Sequence, residues 1–363
     1  MARGQISPEL RLAIDCCRRC LRGGDDVEPL FSGGIDWSKF LALTAFHRIE
    51  GLAGKALTAA QRVPESVRQT LRIRASKIAA ANLQSKSESH RLLHDFQAAG
   101  TDLLFLKGLP LGALAYENPM LKTGIDIDLL VDPTDLAKAA QSLRRAGYRL
   151  SAPDQSAEDR LLHRWHRAWK ESVWVKDSPP LQIDLHTRVA DNRRLIPHID
   201  VHSPRQWVGI GDDIRLPTLA HDELFAYLAV HGASSAWFRL KWIADFAALL
   251  HACSAQEIER LYDRSQELGA GRAAGQALLL ADCLFGTLRH NQALAERLRS
   301  DSGTNLLFRA ALRMLLGGPV EPTDRRLGTF LIHWTQLLLL PGARFAASEL
   351  ARQARRTVLR SRL

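Results

Sequence analysis

The pattern of hydrophobic and polar positions divides the chain into three stretches with different periodicities. Residues 1–96 are helical in pattern, with helix starts indicated at Trp37 and Glu65. Residues 97–216 alternate between strand-like and helix-like segments, and residues 217–363 return to a helical period. The sequence therefore predicts an α+β fold, in which a small mixed β-sheet core is flanked by N-terminal and C-terminal helical regions.

The middle stretch contains a predicted strand that carries two acidic residues, Ile125-Asp-Ile-Asp-Leu-Leu-Val131. Successive side chains of a strand point to opposite faces, so Asp126 and Asp128 are predicted to share one face. Two carboxylates on one face repel each other and lose solvation unless a cation lies between them. The strand therefore indicates a cation site.

A second predicted strand, Leu181-Gln-Ile-Asp-Leu-His-Thr187, has the same alternation, and its polar face carries Asp184 and His186. The preceding segment Ser172–Lys176 is also strand-like, and Asp177-Ser-Pro-Pro180 between them has the composition of a turn. The pattern predicts a β-hairpin that brings Asp184 beside the first acidic strand. His186 is either a substrate contact or a surface residue.

Three aspartates from two strands then form a candidate metal site. Carboxylate oxygens are hard ligands that suit Mg²⁺ or Mn²⁺. Two such ions are used by enzymes for in-line displacement at phosphorus. We therefore predict that Asp126, Asp128 and Asp184 are both the metal ligands and the catalytic residues.

The segment before the acidic strand has the pattern of an anion site. A predicted strand, Asp102–Leu106, runs into Lys107 and Gly108, and a short predicted helix, Leu109–Tyr116, follows. The free N–H groups and the dipole of a helix N-terminus favour phosphate. Because Gly108 lets the backbone approach a ligand closely and Lys107 supplies a positive charge, the pattern predicts a phosphate-binding turn.

The order of these elements resembles the DNA polymerase β-like nucleotidyltransferase superfamily. The shared pattern is a strand, a glycine turn, a helix, Asp-x-Asp on a strand and a lone Asp on a later strand. More narrowly, the chain is similar to the bacterial family described as uncharacterised nucleotidyltransferases, over roughly residues 8 to 290. The resemblance is carried by Ile35–Arg48, Phe105–Leu109, Asp126–Val131, Ile183–His186 and the helical segment His221–Asp245.

The resemblance implies a nucleoside triphosphate donor, two metal ions and the release of pyrophosphate. It implies that Asp126 and Asp128 bind both metals, and that Asp184 binds the catalytic metal and acts as a base for the acceptor hydroxyl. The acceptor would be a small molecule or a modified peptide, since relatives of the family are often associated with peptide natural-product genes. It would alternatively be tRNA, as in toxin-like nucleotidyltransferases, which suits a basic chain.

Two positions depart from the pattern of these relatives. The superfamily usually has Gly-Ser where this chain has Lys107 and Gly108, although Lys-Gly is usual in the narrower family. That family tends to carry an arginine shortly before the acidic strand, where Lys122 stands here. A lysine is a point charge rather than a bidentate fork, so contact with the donor changes at this position.

The C-terminal helical region supplies two further predicted nucleotide contacts. In two-domain nucleotidyltransferases this region often helps to bind the base or the acceptor, and the resemblance assigns that role to Trp237 and Lys241. From spacing alone, Lys241 and Asp245 are predicted to form an i,i+4 ion pair.

A second interpretation is a non-catalytic nucleotide- or RNA-binding module that has kept the fold. This interpretation is favoured by the absence of the Gly-Ser pair at positions 107 and 108, and by the lysine at position 122. The three aspartates argue against it, because a degenerate site has no reason to keep unpaired carboxylates together. Metal dependence of nucleotide binding distinguishes the two interpretations.

The 363-residue chain is strongly basic, with a formal net charge of +10. Such a field attracts polyanions, which include nucleotide phosphates, RNA and acidic membrane surfaces. The last 23 residues contain one acidic residue, Glu349, and six arginines: Arg344, Arg352, Arg355, Arg356, Arg360 and Arg362. The segment is predicted to be a basic amphipathic helix or tail, and it is either a solvated helix face or a contact surface for RNA or anionic lipid.

Cysteine usage and hydropathy predict a cytoplasmic protein without a transmembrane segment. The five cysteines do not suggest a disulfide scaffold, which indicates a reducing compartment. The N-terminus lacks the continuous apolar core of a signal peptide. The longest apolar stretch, Phe330–Leu340, is too short to span a bilayer and is predicted to be a buried helix.

Overall fold

A mixed five-stranded β-sheet, preceded and followed in the chain by helices, forms the centre of the structure and confirms the predicted α+β fold. The computed structural model describes residues 6–22, 34–124, 126–153 and 159–360. Of the predictions above, those that concern Ile125, Arg362 and the side chain of Arg360 lie outside the described residues.

The described residues form seven strands and fifteen α-helices. The strands are β1 (Leu103–Phe105), β2 (Ile127–Val131), β3 (Arg149–Ala152), β4 (Glu171–Asp177), β5 (Pro180–His186), β6 (Arg205–Gly209) and β7 (Arg215–Leu219). The helices are α1 (Pro8–Arg22), α2 (Trp37–His47), α3 (Glu50–Leu57), α4 (Glu65–Ala98), α5 (Leu109–Tyr116), α6 (Leu136–Arg145), α7 (Asp159–Ala168), α8 (His221–Ser234), α9 (Leu240–Leu249), α10 (Ala255–Glu267), α11 (Arg272–Phe285), α12 (Gln292–Ser300), α13 (Ser302–Leu316), α14 (Phe330–Gln336) and α15 (Ala343–Arg360).

Local sequence signals explain where several of these helices begin. Helices α2 and α4 start at Trp37 and Glu65, as predicted. The side chain of Asp36 caps α2 by accepting a hydrogen bond from the backbone N–H of Lys39 at 3.1 Å. Pro110 lies in the first turn of α5, where its missing N–H removes no intrahelical hydrogen bond.

The strand order of the five-stranded sheet is β1-β2-β5-β4-β3. Strands β4 and β5 form the predicted hairpin, and β5 runs parallel to β2. Their register pairs Asp128 directly with Asp184. Paired residues on neighbouring strands project to the same face of a sheet, so the hairpin brings the two carboxylates together, as the sequence predicted.

The two faces of β2 contact different hydrophobic cores. Ile127, Leu129 and Val131 belong to a core that the sheet shares with α6 and the end of α4. Leu130 belongs to a larger core, which the N-terminal helices α1–α3 share with the C-terminal helices α8–α13. Burial of each such side chain contributes about 1.5–3 kcal/mol, which makes a register slip of the strand costly. Asp128 therefore faces the side where the sheet meets the helices.

Helix α4 holds the segment that precedes β2. The side-chain amide of the buried Asn82 donates to the carbonyl oxygens of Pro119, Met120 and Lys122, at 3.2, 3.1 and 2.9 Å. An amide nitrogen carries two N–H groups, so these three contacts share two donors. This clamp fixes the path of the chain just before Asp126.

None of the helices in the described parts of the chain is both long and apolar enough to span a membrane. The stretch Phe330–Leu340 is helical in α14 only over Phe330–Gln336. Ile332 is buried, but Phe330 is 63% exposed, so the prediction of a buried helix is wrong for the start of this segment. A seven-residue helix has about two turns and buries only the face that meets its neighbours.

Candidate active site

Asp128 and Asp184 lie side by side on β2 and β5 and form the centre of the site. Together with His186, each offers one possible metal-ligand atom, and these atoms lie within 4.8 Å of one another. Asp128 is 4% exposed and His186 is completely buried, whereas Asp184 is half-buried. The alternative in which His186 is a surface residue is therefore wrong.

Two side chains from neighbouring elements contact Asp128. Lys107 Nζ and His186 Nε2 lie 2.9 and 3.1 Å from Oδ1 of Asp128. Burial alone raises the pKa of Asp128, but Lys107 and His186 outweigh burial and hold this pKa well below its usual value. Burial lowers the pKa of Lys107, but the Asp128 carboxylate outweighs it and raises this pKa well above its usual value. Lys107 and Asp128 are therefore both charged at neutral pH.

Asp184 has a different environment, because no cation of the described residues forms an ion pair with it. Its hydrogen-bond donor is Gln182, whose Nε2 lies 2.9 Å from Oδ1. Burial, followed by the carboxylates of Asp128, Asp126 and Glu171, raises the pKa of Asp184 to about 7. Negative charge is therefore concentrated around Asp184, and a bound cation would relieve the repulsion.

Asp126 lies at the edge of this group. Strand β2 begins at Ile127, so Asp126 precedes the strand, and strand alternation does not determine the direction of its side chain. It is half-buried and lines the same cavity as Asp128 and Asp184. Of the three predicted metal ligands, two come together with His186, and the third lines the cavity nearby.

The turn between β1 and α5 places Lys107 and Gly108 against the aspartates. Gly108 has φ +67° and ψ −128°, a backbone conformation that is open essentially to glycine alone. It is the N-cap of α5, and no side chain caps this helix start. The first N–H groups of α5 therefore keep the anion-binding capacity that the sequence predicted.

These residues surround a cavity of about 170 Å³ between the sheet, α8 and α9, which we call the aspartate cavity. It is lined by Arg48, Lys107, Gly108, Leu111, Lys122, Thr123, Gly124, Asp126, Asp128, Lys170, Glu171, Asp184, Leu228, His231, Lys241, Trp242 and Asp245. Basic and acidic side chains both line this wall, so the cavity offers contacts for anionic groups and for a cation.

Lys122 is bound to Asp245 at one end of the aspartate cavity, and both side chains are buried. The hydroxyl of Tyr116 also donates to Asp245, with 2.9 Å between the oxygen atoms. The predicted ion pair between Lys241 and Asp245 is therefore wrong. Spacing along α9 permits that pair, but the segment before β2 packs against α9 and delivers Lys122 to the same carboxylate.

Lys241 also lines the aspartate cavity, and it contacts a backbone carbonyl instead of Asp245. Its Nζ donates to the carbonyl oxygen of Thr123 at 3.0 Å. Burial, followed by the positive charge of Lys122, lowers the pKa of Lys241 to about 7. Lys241 is thus only partly charged near neutral pH, and an anionic ligand would favour its protonated form.

Trp237 is the predicted site residue that the structure places elsewhere. It is 1% exposed and packs edge-on against Phe246, with 6.1 Å between ring centroids. A Cβ atom on Gly232 would lie 2.4 Å from the same ring, so the glycine makes room for it. Trp237 is absent from the described lining of the aspartate cavity, and its burial suits packing of α8 against α9.

The sequence analysis missed Lys170 and Glu171, which also line the aspartate cavity. Glu171 lies opposite His186 in the hairpin register, and its Oε2 is 3.3 Å from Nδ1 of that ring. Lys170 forms an ion pair with Glu171 and lies 3.4 Å from the same Nδ1. Counting back from the predicted turn at Asp177 and Pro180 places Glu171 opposite His186, so this signal was present in the sequence.

Comparison with known proteins places the chain in a family. No curated protein matches the chain. A family model described as "uncharacterised nucleotidyltransferase" matches residues 33–286. This range contains the complete lining of the aspartate cavity and every strand of the described chain. Because the match spans most of the chain and all of this site, the protein belongs to the uncharacterised nucleotidyltransferase family.

Proposed function

We propose that the protein is a metal-dependent nucleotidyltransferase that moves a nucleoside monophosphate from a nucleoside triphosphate to a hydroxyl acceptor. The proposal rests mainly on the direct pairing of Asp128 with Asp184 on adjacent parallel strands. The pair lines a cavity that also receives the Lys107–Gly108 turn. Family membership supports nucleotidyl transfer as the reaction class.

The donor set fits a divalent cation such as Mg²⁺ or Mn²⁺. Asp128 and Asp184 supply oxygen ligands at short mutual distance, and Asp126 supplies a third carboxylate at the cavity wall. The raised pKa of Asp184 reflects burial together with crowded negative charge, which a cation would neutralise. When bound, the ion would supply Lewis acidity toward the α-phosphate and lower the pKa of the acceptor hydroxyl.

The basic residues of the cavity would bind the triphosphate. The Lys107 ammonium and the N–H groups at the start of α5 come from the turn between β1 and α5, and Lys241 comes from α9. Each group favours phosphate oxygens, through charge or through an unsatisfied N–H donor. Lys122 would support the cavity wall indirectly, because its charge is paired with Asp245.

Asp184 would accept the proton of the acceptor hydroxyl. A bound cation would offset the repulsion from the neighbouring carboxylates and keep Asp184 ionised, and so able to accept a proton. Gln182 donates to Oδ1, which leaves Oδ2 without a hydrogen-bond donor among the described residues.

In the proposed reaction, a bond forms between the acceptor oxygen and the α-phosphorus, the bond from the α-phosphorus to the bridging oxygen of the β-phosphate breaks, and pyrophosphate leaves. The acceptor is proposed to be a small molecule, a modified peptide or RNA.

The test is transfer of label from nucleoside triphosphates labelled at the α-phosphate, with Mg²⁺ or Mn²⁺, to RNA, protein or small molecules of a cell extract. We expect the unmodified protein to label one acceptor class and Asp128→Asn to label none. Asp177→Asn is the matched control, because Asp177 is an exposed residue at the turn of the β4–β5 hairpin, away from the aspartate cavity. Equal labelling by Asp128→Asn and the unmodified protein would contradict the proposal.

A specific contact favours a second candidate, a nucleotide-binding module without catalysis. Lys107 pairs with Asp128 and so balances one carboxylate of the site without a metal ion. Calorimetric titration with a triphosphate, with Mg²⁺ and then with EDTA, separates the candidates. Binding that is equally tight in EDTA favours the module, whereas binding that needs the metal ion favours the enzyme.

A further inference from the structure

A second and larger cavity, of about 890 Å³, lies between α7, the segment 187–194 and α15. Eight arginines and one acidic residue, Asp191, line it, and we call it the arginine cavity. Helix α15 is far from the other two segments in the sequence, yet its side chains contact the segment 187–194. Asn192 donates to the buried Glu349 at 2.8 Å, and Arg356 forms a bidentate ion pair with Asp191.

Three half-buried arginines, Arg188, Arg352 and Arg356, line the inner part of the arginine cavity. Nε of Arg188, Nη1 of Arg352 and Nε of Arg356 are buried and have no hydrogen-bond partner among the described residues. Burial, followed by the positive charge of Arg193, lowers the pKa of Arg188 to about 10. An unsatisfied buried donor destabilises a protein, so these groups favour an acceptor that the chain itself does not supply.

Five exposed arginines form the rim of the arginine cavity. They are Arg164, Arg167, Arg193, Arg194 and Arg355. Within the described chain, none of the five forms an ion pair, although other surface arginines do so repeatedly. Like charges held this close repel one another, so the rim favours a ligand with several negative charges.

An aromatic surface accompanies the arginines. Trp165 and Trp169 stack with their ring centroids 4.0 Å apart and an angle of 13° between the ring planes. Both rings line the arginine cavity, and the guanidinium of Arg356 lies 5.9 Å from the Trp169 ring. Stacked indoles beside guanidinium groups offer the two contacts that a single-stranded nucleic acid uses, one for bases and one for phosphates.

The arginine cavity is next to the aspartate cavity. Trp169 lines the first, and the following residue, Lys170, lines the second. The backbone N–H of Thr187, which directly precedes Arg188, donates to the carbonyl oxygen of Lys170 at 2.9 Å. A ligand bound along the arginines therefore has one end close to the proposed transfer site.

We propose that the arginine cavity binds a single-stranded nucleic acid, which presents its terminal hydroxyl as the acceptor to the aspartate cavity. The role as acceptor rests on the proposed function, whereas binding of the strand does not. A flat membrane surface would reach the exposed rim but not the recessed Arg188. An acidic peptide would satisfy the arginines but would place no planar base against the half-buried indole of Trp165.

The test measures fluorescence anisotropy of a labelled oligouridylate RNA and of the matching oligothymidylate DNA. It is done in EDTA and without nucleotide, so that binding is independent of metal and turnover. Arg193→Glu/Arg194→Glu changes two exposed rim residues. Arg309→Glu/Arg313→Glu on α13 is the matched control, because both residues are exposed and each double variant changes the formal net charge by −4, from +10 to +6.

We expect the rim variant to bind roughly tenfold or more weakly, and its slope of log affinity against log salt to fall by about 1.4, or about 0.7 per lost phosphate contact. The control should change affinity by less than about threefold. Tighter binding of RNA than of DNA would support an RNA acceptor, and equal binding would support a nucleic acid site without sugar selectivity. Equal losses in both double variants would overturn the proposal, because the effect would then be one of overall charge.

A second pair of variants tests the stacking surface. Trp165→Phe and Trp165→Leu both remove the indole N–H that donates to the Glu171 carbonyl oxygen, but only Trp165→Phe keeps an aromatic ring. Strand affinity should fall more in Trp165→Leu. Equal affinity in the two variants, or displacement of the RNA by polyglutamate at matched charge, would instead indicate a site for acidic peptides. Loss of binding to anionic lipid vesicles in the rim variant, with unchanged RNA binding, would indicate a membrane contact.

Two outcomes separate this proposal from the proposed function. If the strand binds in EDTA but no labelled nucleotide is transferred, the proposed function fails and the binding site stands. If nucleotide is transferred to a small molecule while the rim variant keeps full activity and no strand binds, the proposed function stands and this inference fails.

Discussion

The aspartate cavity and the arginine cavity are neighbours with opposite arrangements of charge. In the aspartate cavity, Lys107, Lys122 and Lys170 each have a carboxylate partner within the chain. In the arginine cavity, Arg352 pairs with Glu349 and Arg356 with Asp191, whereas none of the five rim arginines forms an ion pair within the described chain. The comparison separates two uses of charge. A buried pair such as Lys122–Asp245 holds the fold together, whereas a cluster of exposed charges without partners favours a ligand from outside the chain.

The largest expected effect concerns the paired region. Lys122→Met leaves the buried Asp245 without its cation, and we expect the free energy of unfolding to fall by about 3–5 kcal/mol. Urea denaturation followed by circular dichroism measures it. Lys122→Met/Asp245→Asn should recover much of the loss, because the introduced amide carries no charge and its oxygen still accepts from Tyr116.

The unpaired region supplies the contrast to that experiment. Arg193→Ala/Arg194→Ala removes two exposed charges that have no ion-pair partner in the described chain. The free energy of unfolding should change by no more than about 0.5 kcal/mol. A loss as large as that of Lys122→Met would show that the rim arginines serve the fold rather than a ligand.

Asp184→Asn separates catalysis from stability within the aspartate cavity. We expect its kcat/KM for nucleotidyl transfer to fall by about 10²- to 10³-fold, because a charged oxygen ligand and base is lost. Stability of the metal-free protein at pH 8 should rise, because the substitution removes a carboxylate whose charged form is disfavoured by burial and by neighbouring carboxylates. An active variant, or one destabilised at pH 8, would contradict this role of Asp184.

The pKa of Asp184 also predicts two pH dependences. The pKa of Asp184 is about 7 in the folded protein and 3.8 in the unfolded chain. Between these two pH values the folded protein therefore holds one more proton than the unfolded chain. Stability of the metal-free protein should therefore fall as the pH rises from about 4 to about 7. Affinity for Mn²⁺ should rise up to tenfold per pH unit below about pH 7 and level off above it, since the ion displaces the proton. Titrations at pH 6, 7 and 8 by calorimetry measure the second effect.

The smallest expected effect concerns Lys241. Its pKa of about 7 means that its charge is lost as the pH rises from 6 to 8. Metal-free binding of a triphosphate should therefore weaken over this range, in the opposite direction to the binding of Mn²⁺. Lys241→Arg should abolish this pH dependence and keep the affinity, because arginine stays charged. Lys241→Met should abolish the dependence and weaken binding, and an unchanged pH profile in both would contradict the assignment.

Local pattern was sufficient to predict much of the fold and part of the site. Alternation over residues 181–187 and the turn before it predicted the hairpin, and the parallel register then placed Asp184 beside Asp128. The same reasoning did not locate Asp126, because β2 begins one residue later. Trp237 and Lys122 were predicted as ligand contacts from the resemblance to known nucleotidyltransferases. The packing of α9 against the sheet decides their real surroundings. Trp237 lies in the core, and Lys122 pairs with Asp245.

The sequence by itself determined the α+β class, the acidic strand, the hairpin and the glycine turn, because these features depend on contacts between residues close in the chain. Only the tertiary structure decided that Lys122 pairs with Asp245, that His186 is buried against Asp128, and that the basic C-terminal helix joins α7 to form a cavity. Each of these contacts joins segments more than fifty residues apart. Helical or strand periodicity specifies which face of an element is polar, but not which distant charge meets that face when the elements pack.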